Sequence, residues 1–407
     1  MQTSENTFDD VCQFIIKFGE QMHGYGPNAY RLEWYLTRIT KSFGFDGVFS
    51  STPTEIHFAF SEDKNSWQKS HISSMDGTGI ELNRLAEVGK LIDQLEDGTV
   101  SLTEAYRRLD EIDTIAHPWG NVANAISYVS AGAAFPVLLG GGWWDVVLSG
   151  IFSLVVFFIV QLSGKYGPWA AVWLPFSTAF AAGVLTAIAR YFLPEINGVL
   201  IILSAILILV PGYGISVGVL EIVTKHINSG LSNLVSGLIY LFKQFFGAWF
   251  GVKLVSLLIA FPVAEKVVFI DSKWLWLFMP LLLFSLVIAF QTPKRDAFWA
   301  FAGMVVSYGA ILLGTHYDGA NFGNLLGMIA AVIFANVWSL KTGRPPSIIL
   351  LPSFVLLVSG SIGFRGLAAI SMGDVMHGGN DFTQMFIVAL TLAAGLLIGN
   401  TLYGLKK

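Results

Sequence analysis

The pattern of apolar and polar positions changes character near residue 117. Before it, apolar residues recur every three or four positions over 8–23 and 27–43, which predicts two amphipathic helices separated by Gly24, Gly26 and Pro27. Residues 47–51 and 55–60 alternate with a period of two and predict two strands around Ser51-Thr52-Pro53. Helical spacing returns over 79–96 and 101–115, with Asp97-Gly98 as the turn and Ser101 and Glu104 spaced for a capping box. After 117 the chain becomes a string of apolar runs joined by short polar loops. A helix needs about 20 mostly apolar residues to cross a bilayer core. Ten runs meet that standard: 119–140, 143–163, 169–190, 196–214, 232–260, 273–292, 297–314, 321–340, 347–369 and 383–404. The expected fold is mainly α: a polytopic helical membrane protein of about ten spans with a small α+β N-terminal domain.

The apolar part repeats itself at an offset of 148 residues. Leu209-Val210-Pro211-Gly212 falls on Leu357-Val358-Ser359-Gly360. Gly218, Gly230, Gly247 and Gly251 fall on Gly366, Gly378, Gly395 and Gly399. The expected division is 1–117 for the N-terminal domain, then five-helix repeats over 118–262 and 263–407. An odd number of spans makes the second repeat enter the membrane from the opposite side. That is the inverted-repeat plan of many secondary transporters, in which solutes bind where helices are interrupted. Pro211-Gly212 and Ser359-Gly360 are the candidate interruptions, because proline removes a donor and glycine tolerates unusual backbone angles. A plain helix end or kink is the competing reading. The GxxxG pairs Gly247/Gly251 and Gly395/Gly399 read as helix packing.

Composition excludes several classes. The chain is 54% apolar and 13% charged, about half the usual charged fraction, which rules out a disordered or fibrous protein. The net charge of −4 gives no global attraction to nucleic acid. Charge is uneven, with 10 Lys/Arg and 19 Asp/Glu over 1–117 against 14 and 9 over the rest. Cys12 is the only cysteine and the seven histidines are scattered, so neither a disulfide framework, a metal site nor a cofactor is expected. The opening MQTSENTFDD has no basic start and no apolar stretch, which places the N-terminal domain in the cytoplasm. With that orientation, inner loops carry 8 Lys/Arg and outer loops 4. The expected location is the inner or plasma membrane of the cell, multi-pass, with both termini cytoplasmic.

Charge within a membrane span is costly and tends to mark function. Glu221 lies nine residues after Gly212, and Asp145 opens the second span after Gly140-Gly141-Gly142. Either suits a coupling proton, since a carboxylate drawn out of water holds its proton to higher pH. Arg365, five residues after Gly360, suits a substrate carboxylate. A solvated interface position is the alternative for all three, and Lys243 and Lys253 read as snorkelling side chains. Asn121, Asn124 and Tyr128 share one face of the first span, which fits an aqueous path and an interhelical hydrogen-bond seam equally well. In the N-terminal domain His23, Arg31, Glu33 and Arg38 form the densest polar cluster. It reads as caps and surface groups, or as part of a sensor or gate. No ATP-binding loop is present, so pumping draws on a gradient or a partner. Gly214-Ile215-Ser216-Val217-Gly218 matches G-x-S-x-G, but that motif needs a strand–turn–helix context and a histidine.

His23-Gly24-Tyr25-Gly26-Pro27 followed by Tyr30-Arg31-Leu32-Glu33 resembles the opening motif of the threonine/serine exporter family. So does Thr52-Pro53-Thr54-Glu55-Ile56. Ser130 to Phe135 with Gly140-Gly141-Gly142 and Asp145 resembles that family's first hairpin. Leu209 to Gly212 through Glu221 and Ser229-Gly230 resembles its central motif, and Arg344-Pro345-Pro346 through Gly360 resembles the second-half version. The resemblance covers almost the whole chain. It implies a cytoplasmic N-terminal domain, about ten spans, and proton-driven export of small amino acids. Relatives that split the halves between two chains imply dicarboxylate export as an alternative. Ser359 stands where the family's L-V-P-G has proline. The leading expectation is therefore a non-enzymatic, proton-coupled exporter of threonine or serine. Pro211, Gly212, Ser359, Gly360, Arg365, Asn121 and Asn124 would bind substrate, and Glu221 and Asp145 would handle the proton. Its partners are the solute, protons and membrane lipids, with a homo-oligomer left open. Readings of another class are an intramembrane hydrolase built on Ser216 and a membrane-anchored sensor.

Overall fold

The computed structural model describes residues 7–63, 66–75, 79–262, 268–357 and 360–404. Helix α1 (Phe8–Gly24) opens with a true capping box. Asp10 N donates to Thr7 Oγ1 and Thr7 N donates to the Asp10 carboxylate, each at 3.2 Å. It lays Phe14, Ile15, Phe18 and Met22 against Leu32, Leu36 and Ile39 of α2 (Ala29–Ser42). Strands β1 (Asp46–Thr52), β2 (Glu55–Ser61) and β3 (Lys69–Ser74) form an antiparallel sheet in that order, and Phe49, Phe58 and Phe60 close its inner face. Helices α3 (Leu82–Glu96) and α4 (Leu102–Asp113) complete the domain. β3 has no signature in the sequence. It is a polar edge strand on which Ile72 faces out and only Ser73 is buried, so it shows no apolar alternation. Ser101 caps α4, but the Glu104 carboxylate turns to Arg107 and Arg108 and leaves that box half made.

The membrane part comprises α5 (Gly120–Leu138), α6 (Trp143–Ser163), α7 (Pro168–Phe192), α8 (Gly198–Ala205), α9 (Gly212–Val223), α10 (Ile227–Ser256), α11 (Leu275–Ala289), α12 (Ala297–Thr342), α13 (Ser347–Leu356), α14 (Gly360–Ser371) and α15 (Val375–Leu402). Among the described residues seven helices are long and apolar enough to cross a membrane, and eight if α8 and α9, bent by 64°, count as one span. A straight helix of α12's 46 residues would be about 70 Å long, twice a bilayer core. It breaks instead at Asp318-Gly319, where Gly319 takes φ 79°. Its arms fold back on each other: Ser307 Oγ donates to the Gly327 carbonyl at 3.0 Å, and a Cβ on Gly314 would lie 2.7 Å from Gly323 Cα. With α12 taken as two arms, α8 with α9 and α13 with α14 each taken as one, and the more polar α5 included, the helices follow the ten segments in number and order, although α9 runs to Val223, past the expected end at 214, and α15 begins at Val375, before the expected 383. Of the second expected break, Ser359-Gly360, Ser359 lies outside the described residues and Gly360 begins α14.

Helix crossings recur at the 148-residue offset. A Cβ on Gly218 would lie 2.7 Å from Leu234 N, and one on Gly366 would lie 3.0 Å from Phe382 N. A Cβ on Gly230 would lie 2.7 Å from Ile222 N, and one on Gly378 would lie 2.8 Å from Ile370 N. Both pairs of contacted residues, 234/382 and 222/370, are again 148 apart. So α9 meets α10 as α14 meets α15. The glycines are required because backbone faces them within van der Waals distance. Gly230→Ala and Gly378→Ala should each cost about 1–3 kcal/mol through overpacking. Thermal unfolding in detergent should fall by similar amounts for both, and an unchanged midpoint for either would refute that crossing.

Leu351 joins the N-terminal core, and Tyr213 and Phe290 pack against it. The domain is thus seated on one end of the helix bundle.

Candidate functional site

Helix α2 begins without a cap of its own, because the Asn28 side chain makes no capping bond. The first amides of a helix need acceptors and carry partial positive charge. Glu221, on α9, supplies the acceptor. Its Oε1 accepts from Ala29 N at 2.8 Å, and its Oε2 accepts from Ser229 Oγ at 2.8 Å and Asn233 Nδ2 at 2.7 Å. The side chain is fully buried. Ser229 and Asn233 are four apart on α10 and so share a face. The α9–α10 turn that delivers them passes through Lys225 at φ 69°. One carboxylate therefore ties the N-terminal domain to two membrane helices.

A second link lies beside it. His226 Nε2 is 3.2 Å from Glu33 Oε2, while Glu33 Oε1 accepts from Ser51 N at 2.9 Å. Burial raises the Glu33 carboxyl above its ordinary range. His23 donates from Nε2 to the Thr52 carbonyl at 2.8 Å, and burial lowers its pKa. Between these groups is a cavity of about 210 Å³ lined by His23, Asn28, Thr52, Tyr213, Glu221 and Asn233 among others. It has room for several waters or one small solute. Arg31 lines an adjoining space of about 40 Å³ together with Tyr213, Leu351 and Phe354. Polar residues that the sequence leaves in separate groups, His23, Arg31 and Glu33 in one and Glu221 in another, thus meet at one seam.

His23 sets a pH dependence. Its lowered pKa means that protonation below about 6.5 favours the unfolded chain, so stability falls as pH drops through that range. Glu33 acts in the opposite sense, because its raised pKa lets the folded state bind a proton first. His23→Gln removes the first effect while keeping a donor for Thr52. Between pH 7.5 and 5.5 its unfolding midpoint should fall less than the parent's, and parallel curves would refute the assignment.

A charge network clamps the same end. Asp296, completely buried, receives Arg344 and Arg295, and Arg295 reaches Glu87 of α3 at 2.8 Å. A Cβ on Gly89 of α3 would lie 2.9 Å from Pro345 Cγ. Sequence reading counts Arg295 and Arg344 among the inner-loop charges, takes Ser229 and Arg344 otherwise only as parts of resembled motifs, and passes over Asp296, Asn233 and His226. The available signals were an Asp at the start of an apolar run and a polar i, i+4 pair.

The other expected residues lie elsewhere. Asp145 is buried at the opposite end of the bundle, where its carboxylate accepts from Gly142 N at 2.8 Å and Asn197 N at 2.9 Å. Asn121 is exposed on the first turn of α5, and the Asn124 carbonyl accepts from Ser127 Oγ at 2.7 Å. Neither lines the cavity. Arg365 on α14 is half-exposed, with Nη2 4.0 Å from Asp381 Oδ2. Pro211 precedes α9, and Gly212 meets Gly360: a Cβ on Gly360 would lie 2.8 Å from both Gly212 Cα and Gly212 N. The starts of α9 and α14 are therefore in contact. Ser359 is outside the described residues. Ser216 sits inside α9, away from the strand-to-helix turn its motif would need. Among the described residues no group of three or more potential metal ligands is gathered.

A family model described as "Putative threonine/serine exporter" matches residues 13–255, and one described as "Threonine/Serine exporter, ThrE" matches 274–402. The chain belongs to the threonine/serine exporter family. It carries both parts of that family fused in a single membrane protein. It is 24% identical over 343 residues to a Mycobacterium tuberculosis protein named "Probable threonine/serine exporter", covering 79% of this chain and 62% of that one. It is 25% identical over 380 residues to an uncharacterized protein of Schizosaccharomyces pombe, covering 88% and 49%. It is also 25% identical over 378 residues to pheromone-regulated membrane protein 10 of Pichia sorbitophila, covering 86% and 36%. This exporter-family chain spans less than half the length of those two yeast relatives. No solved structure matches it.

Proposed function

We propose that the chain exports small polar metabolites, threonine and serine foremost, across the inner or plasma membrane in exchange for protons. The observation that carries the mechanism is Glu221, buried at the seam and bonded at once to Ala29, Ser229 and Asn233 beside a solute-sized cavity. An ionised carboxylate accepts all three bonds. A proton on it removes acceptor capacity and weakens the hold on α2, so proton uptake opens the seam and solute enters from the cytoplasm. In this reading the N-terminal domain, 1–117, is the inner gate. Residues 118–262 and 263–407 are the two five-helix inverted repeats, supported by crossings that recur at the 148-residue offset. Solute passes to the meeting point of α9 and α14, where the amide-bearing helix starts at Gly212 and Gly360 suit its carboxylate; Pro211 and Ser359 precede them in the sequence. Arg365 serves the carboxylate further on, and Asp145 is the second candidate for the proton. Asn121 and Asn124 give a polar flank to the route. Both termini are cytoplasmic.

Proteoliposomes loaded with labelled threonine, with serine or succinate in parallel vesicles, test this. Loss of threonine or serine that needs an imposed proton gradient is the expected result. Loss of succinate alone would change the substrate class, and retention of all three by folded, inserted protein would overturn the reading.

A further inference from the structure

The contact between α9 and α14 is bordered by polar atoms that packing does not use. Gln244 of α10 is completely buried. Its Nε2 donates to the Leu209 carbonyl at 3.2 Å, at the break between α8 and α9. Its Oε1 accepts no hydrogen bond among the described residues. Buried amide oxygens are normally paired, so an empty one calls for an explanation. Ser216, four residues into α9, is also completely buried, and its hydroxyl is likewise without a partner.

Both residues are close to the helix starts. Leu209, which Gln244 holds, is three residues before Gly212, and Gly212 backs onto Gly360. The neighbour of Gln244, Phe245, sets its ring 6.4 Å from that of Phe364 on α14. One turn earlier on α10, Leu241 lies 3.1 Å from where a Cβ on Gly363 would be. So α10 presents Gln244 where α9 and α14 begin. Helix starts attract an anion, whereas an amide oxygen attracts a donor.

We propose that Gln244 and Ser216 are ligands of the transported solute at this crossing and select an amino acid over a dicarboxylate. The assignment rests on the exporter reading. The starts of α9 and α14 hold the carboxylate, Gln244 Oε1 accepts from the ammonium group, and Ser216 pairs with the side-chain hydroxyl of threonine or serine. An ionised dicarboxylate has no donor to offer Gln244 Oε1 and leaves it unpaired. In the conformation described here the two glycines are in contact, so loading requires α9 and α14 to separate. Gln244 then exchanges its bond to Leu209 for bonds to the solute.

The test is export kinetics of the full chain in proteoliposomes. Labelled luminal threonine competes with luminal succinate and with 2-aminobutyrate, which is threonine with a hydrogen in place of the hydroxyl. Gln244→Leu should raise the threonine KM at least tenfold and narrow the preference for threonine over succinate. Ser216→Ala, a smaller change to the core, should narrow the preference for threonine over 2-aminobutyrate and leave the preference for 2-aminobutyrate over succinate intact. If Gln244 only braces the Leu209 carbonyl, its variant will lower kcat for every solute alike with the selectivities unchanged, and the proposal fails. Unchanged threonine-to-2-aminobutyrate selectivity in Ser216→Ala overturns the Ser216 assignment even if Gln244→Leu does not fold. Parent protein that exports no threonine or serine refutes the exporter reading itself. Export by the parent with variants like it refutes only these two ligands.

Discussion

Glu221→Ala should abolish gradient-driven export and release the N-terminal domain from the bundle. The substitution leaves the Ala29 amide, the Ser229 hydroxyl and the Asn233 amide without their acceptor in a buried seam. Truncating one partner of a buried, hydrogen-bonded charge costs roughly 2–5 kcal/mol, or about 30- to several-thousand-fold in the open-to-closed ratio. Helix α2 loses most, since Glu221 supplies the cap that the Asn28 side chain does not make. Glu221→Gln is the finer probe. Its oxygen can still accept from Ala29, but its amide meets two donors and cannot take up a proton. Hydrogen exchange over residues 29–32 should accelerate strongly in Glu221→Ala and modestly in Glu221→Gln, while both lose the response of export to pH. Parent-like protection together with parent-like coupling in Glu221→Ala would sink the gate and the proton role together.

Gly360→Val should be nearly as damaging by a different route. Two backbones meet there, and a Cβ would come 2.8 Å from Gly212 Cα and N. Backbone cannot rotate out of the way as a side chain can, so α14 must move off α9. Overpacking of this kind costs about 1–3 kcal/mol or more. Export should fall at least about tenfold, while exchange over residues 29–32, which reports the Glu221 seam, stays protected. Gly379→Ala on α15 is the control. Nothing lies within 4 Å of its added methyl, and alanine is the better helix former, so export and stability should match or exceed the parent's. A Gly360→Val protein with normal export would show that the two helix starts are free to part.

The two variants strike residues whose importance was legible to different degrees. Pro211-Gly212 and Gly360 stand out because a break repeated at a fixed offset is a pattern in one dimension. That they touch is not such a pattern. Glu221 was visible as a carboxylate in an apolar stretch. Ala29, however, gave no signal, because a backbone amide looks the same at every position. Ser229 appeared only within a resembled motif, and Asn233 had only a weak i, i+4 spacing from it. His226 and Glu33, nearly two hundred residues apart, had none. β3 escaped because an exposed edge strand buries almost nothing and so leaves no period.

The sequence by itself determined the elements, β3 excepted. Helix and strand periods, membrane spans and the 148-residue repeat are local or translational regularities, imposed by how much apolar surface each segment must hide. Only the tertiary structure decided the seating of the N-terminal domain on α9 and α10, the fold-back of α12, the meeting of α9 with α14, and the burial of Gln244 against the break before α9. These depend on which surfaces find one another, and on hydrogen bonds to backbone groups whose direction is set only after the chain has packed.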